Sequence, residues 1–402
     1  MERLRLKSSY LISRVPLNFS RSITSRIDWN DRLIGILGAR GLGKTTLLLQ
    51  QIRTKHGFNP HALYISMDDL EFAGASLLSF AAEFCNKGGT HLYIDEVHKY
   101  PKWSQELKTI YDTLPDLKVV FAGASTIDIL KHYANLSKRA TIYTLQGLSF
   151  REYLELHDIT SLPALSLDTL IQDHQSIALE LTDDFKPSVH FNKYLTMGYY
   201  PFDCSDYEEF KRNLENSIGQ TVESDMAYME GYDSRNAHKI KKLLNAIAQS
   251  VPFKPNLVKI SETIGVHRNT LINYFFHLEK ASLIQMLYPS GSAISILQKP
   301  EMVYLNNPNM AQILPRVAPD RYSLVCTFVS SVLGSNGQLK ITERGFFDFE
   351  GKWQFAVQDA KSKKRRKPRG KDVISLSDGI EMGSQRTIPL WMLGLVTNHS
   401  IP

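Results

Sequence analysis

The eight residues at positions 38–45 have the types and spacing to hold a polyphosphate. They read Gly38-Ala39-Arg40-Gly41-Leu42-Gly43-Lys44-Thr45, and Thr46 follows. Every defined position of G-x-x-x-x-G-K-[ST] is met. Glycines let successive backbone N–H groups curl around a phosphate without Cβ interference. A helix beginning after the loop aims its positive end at the same anion. The Lys44 amine suits the β- and γ-phosphates, and the Thr45 hydroxyl suits magnesium. ATP and magnesium are therefore the expected ligands. Arg40 lies within the loop and faces either phosphate or a partner.

A second constellation is the run HLYIDE at 91–96. An apolar strand that ends in Asp-Glu brings one carboxylate near the metal and the next near the attacking water. Asp95 is the expected magnesium residue and Glu96 the expected general base. The adjacent Glu favours ATP hydrolysis over phosphoryl transfer to a metabolite. Ser125, in FAGAS, is placed to contact the γ-phosphate or position water, or else to cap a helix beginning near 127. Arg139, in LSKRA, contacts a nucleotide in cis, reaches a neighbour's site as an arginine finger, or is a solvated surface arginine.

These residues need strands and helices to carry them. LIGIL at 33–37 reads as a strand leading into the loop, and 45–53 continues as a helix. Further strands are expected at 62–67, 91–94 and 117–121, with helices at 77–84, 103–114 and 127–133. Strands alternating with helices predict a mostly parallel sheet covered on both faces. The segment 160–186 looks like a connection into helices. Helical character resumes over 191–230, broken at GYYP, and again at 237–249.

Composition bounds the rest. Hydrophobic residues make up 43% and charged residues 22%, so the 402-residue chain can bury a sizeable core. The length suggests several domains. A net charge of +6 permits an anionic partner. Cys85, Cys204 and Cys326 are too far apart for metal-ligand spacing, and sparse odd cysteines fit a reduced, cytoplasmic protein. No stretch is long and apolar enough to predict a membrane span, and the N-terminus lacks the apolar core of a signal peptide.

The segments DWNDRLIGILGARGLGKTTLLLQQ, YISMDDLEFA, LYIDEVHKYPKWSQELKTIYD, FAGAS, RATIYTLQGLSFREYLEL and YLTMGYYP occur in an order that resembles the prokaryotic AAA+ ATPases of the archaeal-type ATPase group. The resemblance implies an α/β fold whose core is an AAA+-like P-loop NTPase sheet. It implies that Gly38, Gly43, Lys44 and Thr45 cradle the nucleotide, and that Asp95 and Glu96 form the Walker B pair. Where the family tends to show Gly-Ser-Ser this chain has Gly123-Ala124-Ser125, which leaves a sensor role to Ser125 or to nothing. It also suggests homo-oligomeric assembly and tasks that involve DNA or a partner protein.

Residues 256–287 carry a winged-helix pattern. A helix at 258–264 ends at Gly265, a second runs over 269–280, and a strand-turn-strand wing is expected through 288–292. Ile264, Val266, Leu271, Tyr274, Phe275 and Leu278 suit its core. His267, Arg268, Asn269 and Asn273 would then line the exposed start of a recognition helix. Lys239, Lys241, Lys242, Lys254 and Lys259 could add backbone contacts to DNA. The other reading of this module is a lid or protein contact.

Similar ATPases often carry a fold related to the PD-(D/E)XK nucleases. Asp348, then Asp359-Ala360-Lys361 after the strand-like WQFAVQ, give the residue types of such a site, with Glu343 upstream. A register shifted back puts the carboxylate position on Ala356 or Gln358 and leaves a degenerate, inactive fold. Positions 361–371 hold eight Lys or Arg in eleven residues, among them Lys364, Arg365 and Arg366. They form a solvated, mobile loop or an electrostatic contact to nucleic acid. IPLWMLGL at 388–395 reads as a buried terminal segment.

The expected organisation is an N-terminal segment (1–27), an ATPase core (28–158), a helical lid or connection (159–236), a winged helix (237–295) and a small nuclease-like α/β domain (296–402). The expected activity is magnesium-dependent ATP hydrolysis coupled to action on DNA. The alternatives are a nucleotide-switched regulator or scaffold for a partner protein, and an ATP-gated nuclease.

Overall fold

The computed structural model describes residues 1–124, 136, 138–182, 185–229, 231–291, 299–358 and 373–397. They group into two compact units. The first comprises Met1–Gln146 and, returning from much later in the chain, Gln220–Ser234. The second comprises Gly147–Gly219 and Arg235–Ser400.

The first unit is built on the strands Leu33–Gly38 (β1), Ala62–Ser66 (β2), His91–Asp95 (β3), Lys118–Ala124 (β4) and Thr141–Thr144 (β5). They form one sheet in the order β2-β3-β4-β1-β5, with every neighbouring pair parallel. A parallel sheet is covered on both faces, which is why β1 is an unbroken apolar run with every residue buried. Leu33, Leu37, Leu63, Ile65, Leu92, Ile94, Val119 and Phe121 meet in a single core cluster.

The helices are Glu2–Arg14 (α1), Lys44–Lys55 (α2), Leu77–Asn86 (α3) and Trp103–Thr113 (α4). Helix α4 buries Trp103, Leu107 and Ile110, the stripe that its apolar spacing predicts. Helix α3 starts where the Ser76 hydroxyl accepts the Ser79 amide, an N-cap.

Two elements escape the sequence reading. The N-terminal segment is helix α1, which buries Leu4, Ser8 and Ile12 at four-residue spacing among exposed charges. The Ser8 hydroxyl accepts the Tyr64 amide of β2 at 3.1 Å, and Arg3 and Lys7 both pair with Asp69. Strand β5 is short and only half-buried, so it lacks the apolar run that marks its neighbours.

In the second unit, helices Phe150–Leu156 (α5), Leu167–Thr182 (α6) and Pro187–Met197 (α7) precede Tyr207–Glu223 (α8), whose last residues belong to the first unit. Ser149 and Glu152 close a capping box at the start of α5. The segment expected only as a connection is mostly α6. Ala237–Ala248 (α9), Leu257–Ile264 (α10) and Arg268–Lys280 (α11) follow, then an antiparallel pair, Ile284–Leu287 (β6) and Met302–Leu305 (β7).

Tyr288 and Ser290, within the expected wing, bond to Ile341 on either side, and residues 292–298 lie outside the described ones.

Pro308–Ile313 (α12) and Arg321–Asn336 (α13) lead to the strands Leu339–Ile341 (β8), Phe347–Phe349 (β9), Trp353–Gln358 (β10), Val373–Ser377 (β11) and Thr387–Pro389 (β12). Their order is β12-β11-β10-β9-β8, with β10, β11 and β12 parallel and β8 and β9 antiparallel. Leu390–Leu393 (α14) closes the described chain and is fully buried, as 388–395 was expected to be. Ser125, the helix expected at 127–133, Asp359, Lys361 and the basic run with Lys364, Arg365 and Arg366 lie outside the described residues.

Candidate nucleotide site

The three strands that matter run in the same direction, so they deliver their C-terminal ends to one edge of the sheet. β1 ends in the phosphate-loop sequence, β3 ends in Asp95-Glu96, and β4 lies between them. Gly38 is required where β1 ends. A Cβ there would lie 2.5 Å from the Leu145 carbonyl oxygen, a backbone atom that cannot swing away. Gly41 and Gly43 then take φ of 84° and 89°, a turn that side-chain-bearing residues resist. The chain enters α2 directly at Lys44. Ala39, Leu42 and Thr46 fill the rest of the loop and the first turn of that helix. A loop of this form ahead of a helix N-terminus is an anion cradle.

Lys44 is buried, and its Nζ donates to the carbonyls of Gly38 and Ala39, each at 2.8 Å. Burial lowers the pKa of this amine, and the charges of Glu96, Asp95 and Asp225 act in the opposite direction. The Thr45 hydroxyl donates to Asp95 Oδ2 at 2.5 Å, and the Tyr64 hydroxyl donates to the same oxygen at 2.9 Å. Asp95 Oδ1 accepts the Glu96 amide at 2.9 Å. Burial, then the charge of Asp95, pushes the Tyr64 hydroxyl up, so Tyr64 stays a donor. Threonine and aspartate oxygens thus converge beside the phosphate loop.

Glu96 has φ of 52°, the left-handed region. For a non-glycine residue this is strain of about 1–3 kcal/mol, and such strain concentrates at functional positions. Its side chain remains partly open to solvent, whereas Asp95 is buried.

Arg40 turns away from the loop. Its Nε and Nη2 bind the two oxygens of Asp225 at 3.0 and 2.8 Å, a bidentate pair with a carboxylate that is only 1% exposed. Asp225 belongs to the returning segment Gln220–Ser234, in the short helix Asp225–Tyr228. His98 completes the group. Its Nε2 lies 3.4 Å from Asp225 Oδ1 and 3.4 Å from Glu96 Oε2. Its Nδ1 accepts the Ala124 amide, at the end of β4, at 3.3 Å.

Burial alone pushes the Asp225 carboxyl up. Hydrogen bonds from His98 and Arg40, together with the charge of Arg40, outweigh it and hold the group down at about 2. A carboxyl held below its unfolded value stabilises the fold above that unfolded value and loses the contribution as pH falls through the folded one. For Asp225 the window runs from the ordinary aspartate value near pH 4 (roughly) down to about 2. The contribution is of the order of 2 kcal/mol. By urea titration, the stability lead of wild type over Asp225→Asn is therefore expected to shrink by about 2 kcal/mol between pH 6 and pH 2. An unchanged lead would mean that the pair carries no linked proton.

Arg139 is not brought to this edge. It precedes β5, whose Thr141 pairs with Ile34 near the start of β1, so it sits at the opposite end of the sheet. There it binds both oxygens of Asp112 on α4, at 2.8 and 3.0 Å.

In the second unit, α10 ends at Gly265 in the left-handed conformation and α11 begins three residues later, after the N-cap residue His267. Leu271, Tyr274, Phe275 and Leu278 are buried, and His267, Arg268, Asn269 and Asn273 are exposed. Ile264 is buried, while Val266 is only partly so. Lys242 Nζ donates to the Thr263 carbonyl and Lys254 pairs with Glu301.

Asp348 lies on β9 opposite Gln354 of β10. Alternation along β10 puts Gln354, Ala356 and Gln358 on one face of the sheet, and none of the three is a carboxylate or a lysine.

Sequence reasoning missed Tyr64, His98 and Asp225. The third of these had no local signal, because its partner Arg40 is 185 residues away.

Residues 30–154 match the AAA domain family, and residues 188–320 match a domain of unknown function, DUF8612. An uncharacterized protein of Methanocaldococcus jannaschii is 28% identical over 295 residues, which cover 68% of this chain. The match spans 61% of that relative's length. Solved structures that align with the chain include AMPPCP-bound DnaA from Aquifex aeolicus, at 14% identity over 69% of this chain and 88% of that one, with a TM-score of 0.25. PCH-2 of C. elegans aligns at 15% identity over 70% of this chain and 66% of that one, with a TM-score of 0.24. No helix among the described residues is long and apolar enough to cross a membrane. The phosphate loop, the acidic strand end and the five-stranded parallel sheet all fall within residues 30–154, the segment that matches the AAA domain model.

Proposed function

We propose that this protein is a magnesium-dependent ATPase. One observation carries the reading: Thr45 and Asp95 meet at 2.5 Å beside the phosphate loop, with Glu96 next in the chain and partly open to solvent. Hydroxyl and carboxylate oxygens are hard donors, and they suit magnesium bound through few protein ligands. The glycine turn ahead of α2 suits the phosphates. Thr45 and Asp95 would hold the ion, which when bound supplies positive charge to the β- and γ-phosphates.

The chain's own residues do the rest. Backbone N–H groups of 38–45 orient the phosphates, and Lys44 offsets their charge as it builds on the leaving oxygen. Glu96 orients a water in line with the γ-phosphorus and accepts its proton. The water oxygen bonds to phosphorus, the bond to the β-γ bridging oxygen breaks, and ADP and phosphate leave.

Coupling to DNA is the second part of the proposal. The three helices α9 to α11 followed by the β6–β7 pair support a winged helix, with Arg268, Asn269 and Asn273 on its exposed helix start. In the C-terminal sheet the residues facing with Asp348 support a degenerate nuclease-like fold without cleavage. Phosphate contacts are electrostatic and fade with salt. Duplex DNA is therefore expected to raise the ATPase rate at low salt, with the stimulation lost at high salt and weakened by Arg268→Ala. Turnover that ignores DNA at both salt concentrations would favour a nucleotide-switched regulator that recruits a protein.

A further inference from the structure

His98 stands at a junction of four pieces of the first unit. Its own short helix follows Glu96, its Nδ1 takes the amide at the end of β4, its Nε2 faces Glu96, and the same Nε2 faces Asp225. The Tyr228 ring stands perpendicular to it, with centroids 5.8 Å apart. A backbone amide can only donate, so Nδ1 must hold its lone pair there and the ring proton sits on Nε2. That proton is directed to Asp225 Oδ1, 3.4 Å from the nitrogen, and Glu96 Oε2 lies at the same distance from that nitrogen. The ring stays beside Glu96 only while Asp225 holds it there.

Asp225 is itself fixed by Arg40 from within the phosphate loop. The segment that carries it is preceded and followed in the chain by residues of the second unit. Arg40, Asp225, His98 and Glu96 thus form one chain of polar contacts from the phosphate loop to the carboxylate beside it.

We infer that Asp225 is a positioning residue for Glu96, acting through His98 and held by Arg40, so that turnover depends on the seating of the segment Gln220–Ser234. The inference rests on the hydrolytic role given to Glu96 above. Positioning acts on the chemical step, so its loss appears in kcat and not in KM.

Asp225→Asn and His98→Ala are each expected to lower kcat by about 10- to 100-fold, as displaced catalytic groups do. KM for ATP should stay within about threefold. Because both changes break one chain of contacts, the double variant should fall no further than the worse single variant. Wild-type kcat in Asp225→Asn, or losses that multiply in the double variant, would overturn the inference. A merely structural role would instead raise KM for ATP well beyond threefold.

Ring ¹⁵N shifts of His98 in the wild-type protein give a readout that needs no variant to fold. The proton on Nε2 supports the inference, and the proton on Nδ1 overturns it. Wild-type protein that binds ATP without hydrolysing it would defeat the ATPase reading first, and turnover that survives Asp225→Asn would defeat this one alone.

Discussion

Glu96→Gln is expected to lower kcat by about 10²–10⁴-fold, the range that general-base catalysis contributes. Glutamine matches glutamate in size but cannot take the proton of the attacking water. The left-handed backbone at Glu96 is set by the end of β3 and the short helix Val97–Lys99, so the substitution leaves the local path intact. Thr45, Asp95 and the phosphate loop are untouched, so ATP affinity should change little. Phosphate release measured beside binding of a fluorescent ATP analogue separates the two effects. Full turnover in Glu96→Gln would assign the base to another residue.

Lys44→Ala removes the largest favourable charge from the loop. The amine is buried and donates to two backbone carbonyls, which the substitution would leave unpaired. The phosphates would lose charge-assisted hydrogen bonds worth about 1.5–3 kcal/mol each. ATP affinity should fall roughly 100-fold, and turnover with it. Asp348→Ala serves as the control, since that side chain lies in the C-terminal sheet and is given no part in hydrolysis. It should leave both quantities at the wild-type level. Equal losses in the two variants would detach turnover from the phosphate loop.

Much of the first unit could be read from the chain because its signals are local. The run LIGIL, the loop glycines and the acidic strand end each declare themselves within a few residues, and the sheet places them at one edge as parallel strands require. Helix α1 was hidden because its apolar positions are few and spaced by charges, so only packing against β2 and α2 reveals them. The strand that pairs with β6 was not legible because the turn signal after Leu287 leads first into bonds with Ile341. Asp225 was invisible for a different reason. A buried carboxylate needs partners, and its partners Arg40 and His98 come from distant parts of the chain. Its meaning arises only when Gln220–Ser234 returns to the first unit.

The most direct test of the central claim is phosphate release by wild-type protein incubated with ATP, in magnesium and in EDTA. The account predicts many phosphates per protein with magnesium and none above background with EDTA. Bound ATP that stays intact in magnesium, or release that is unaffected by EDTA, would contradict it.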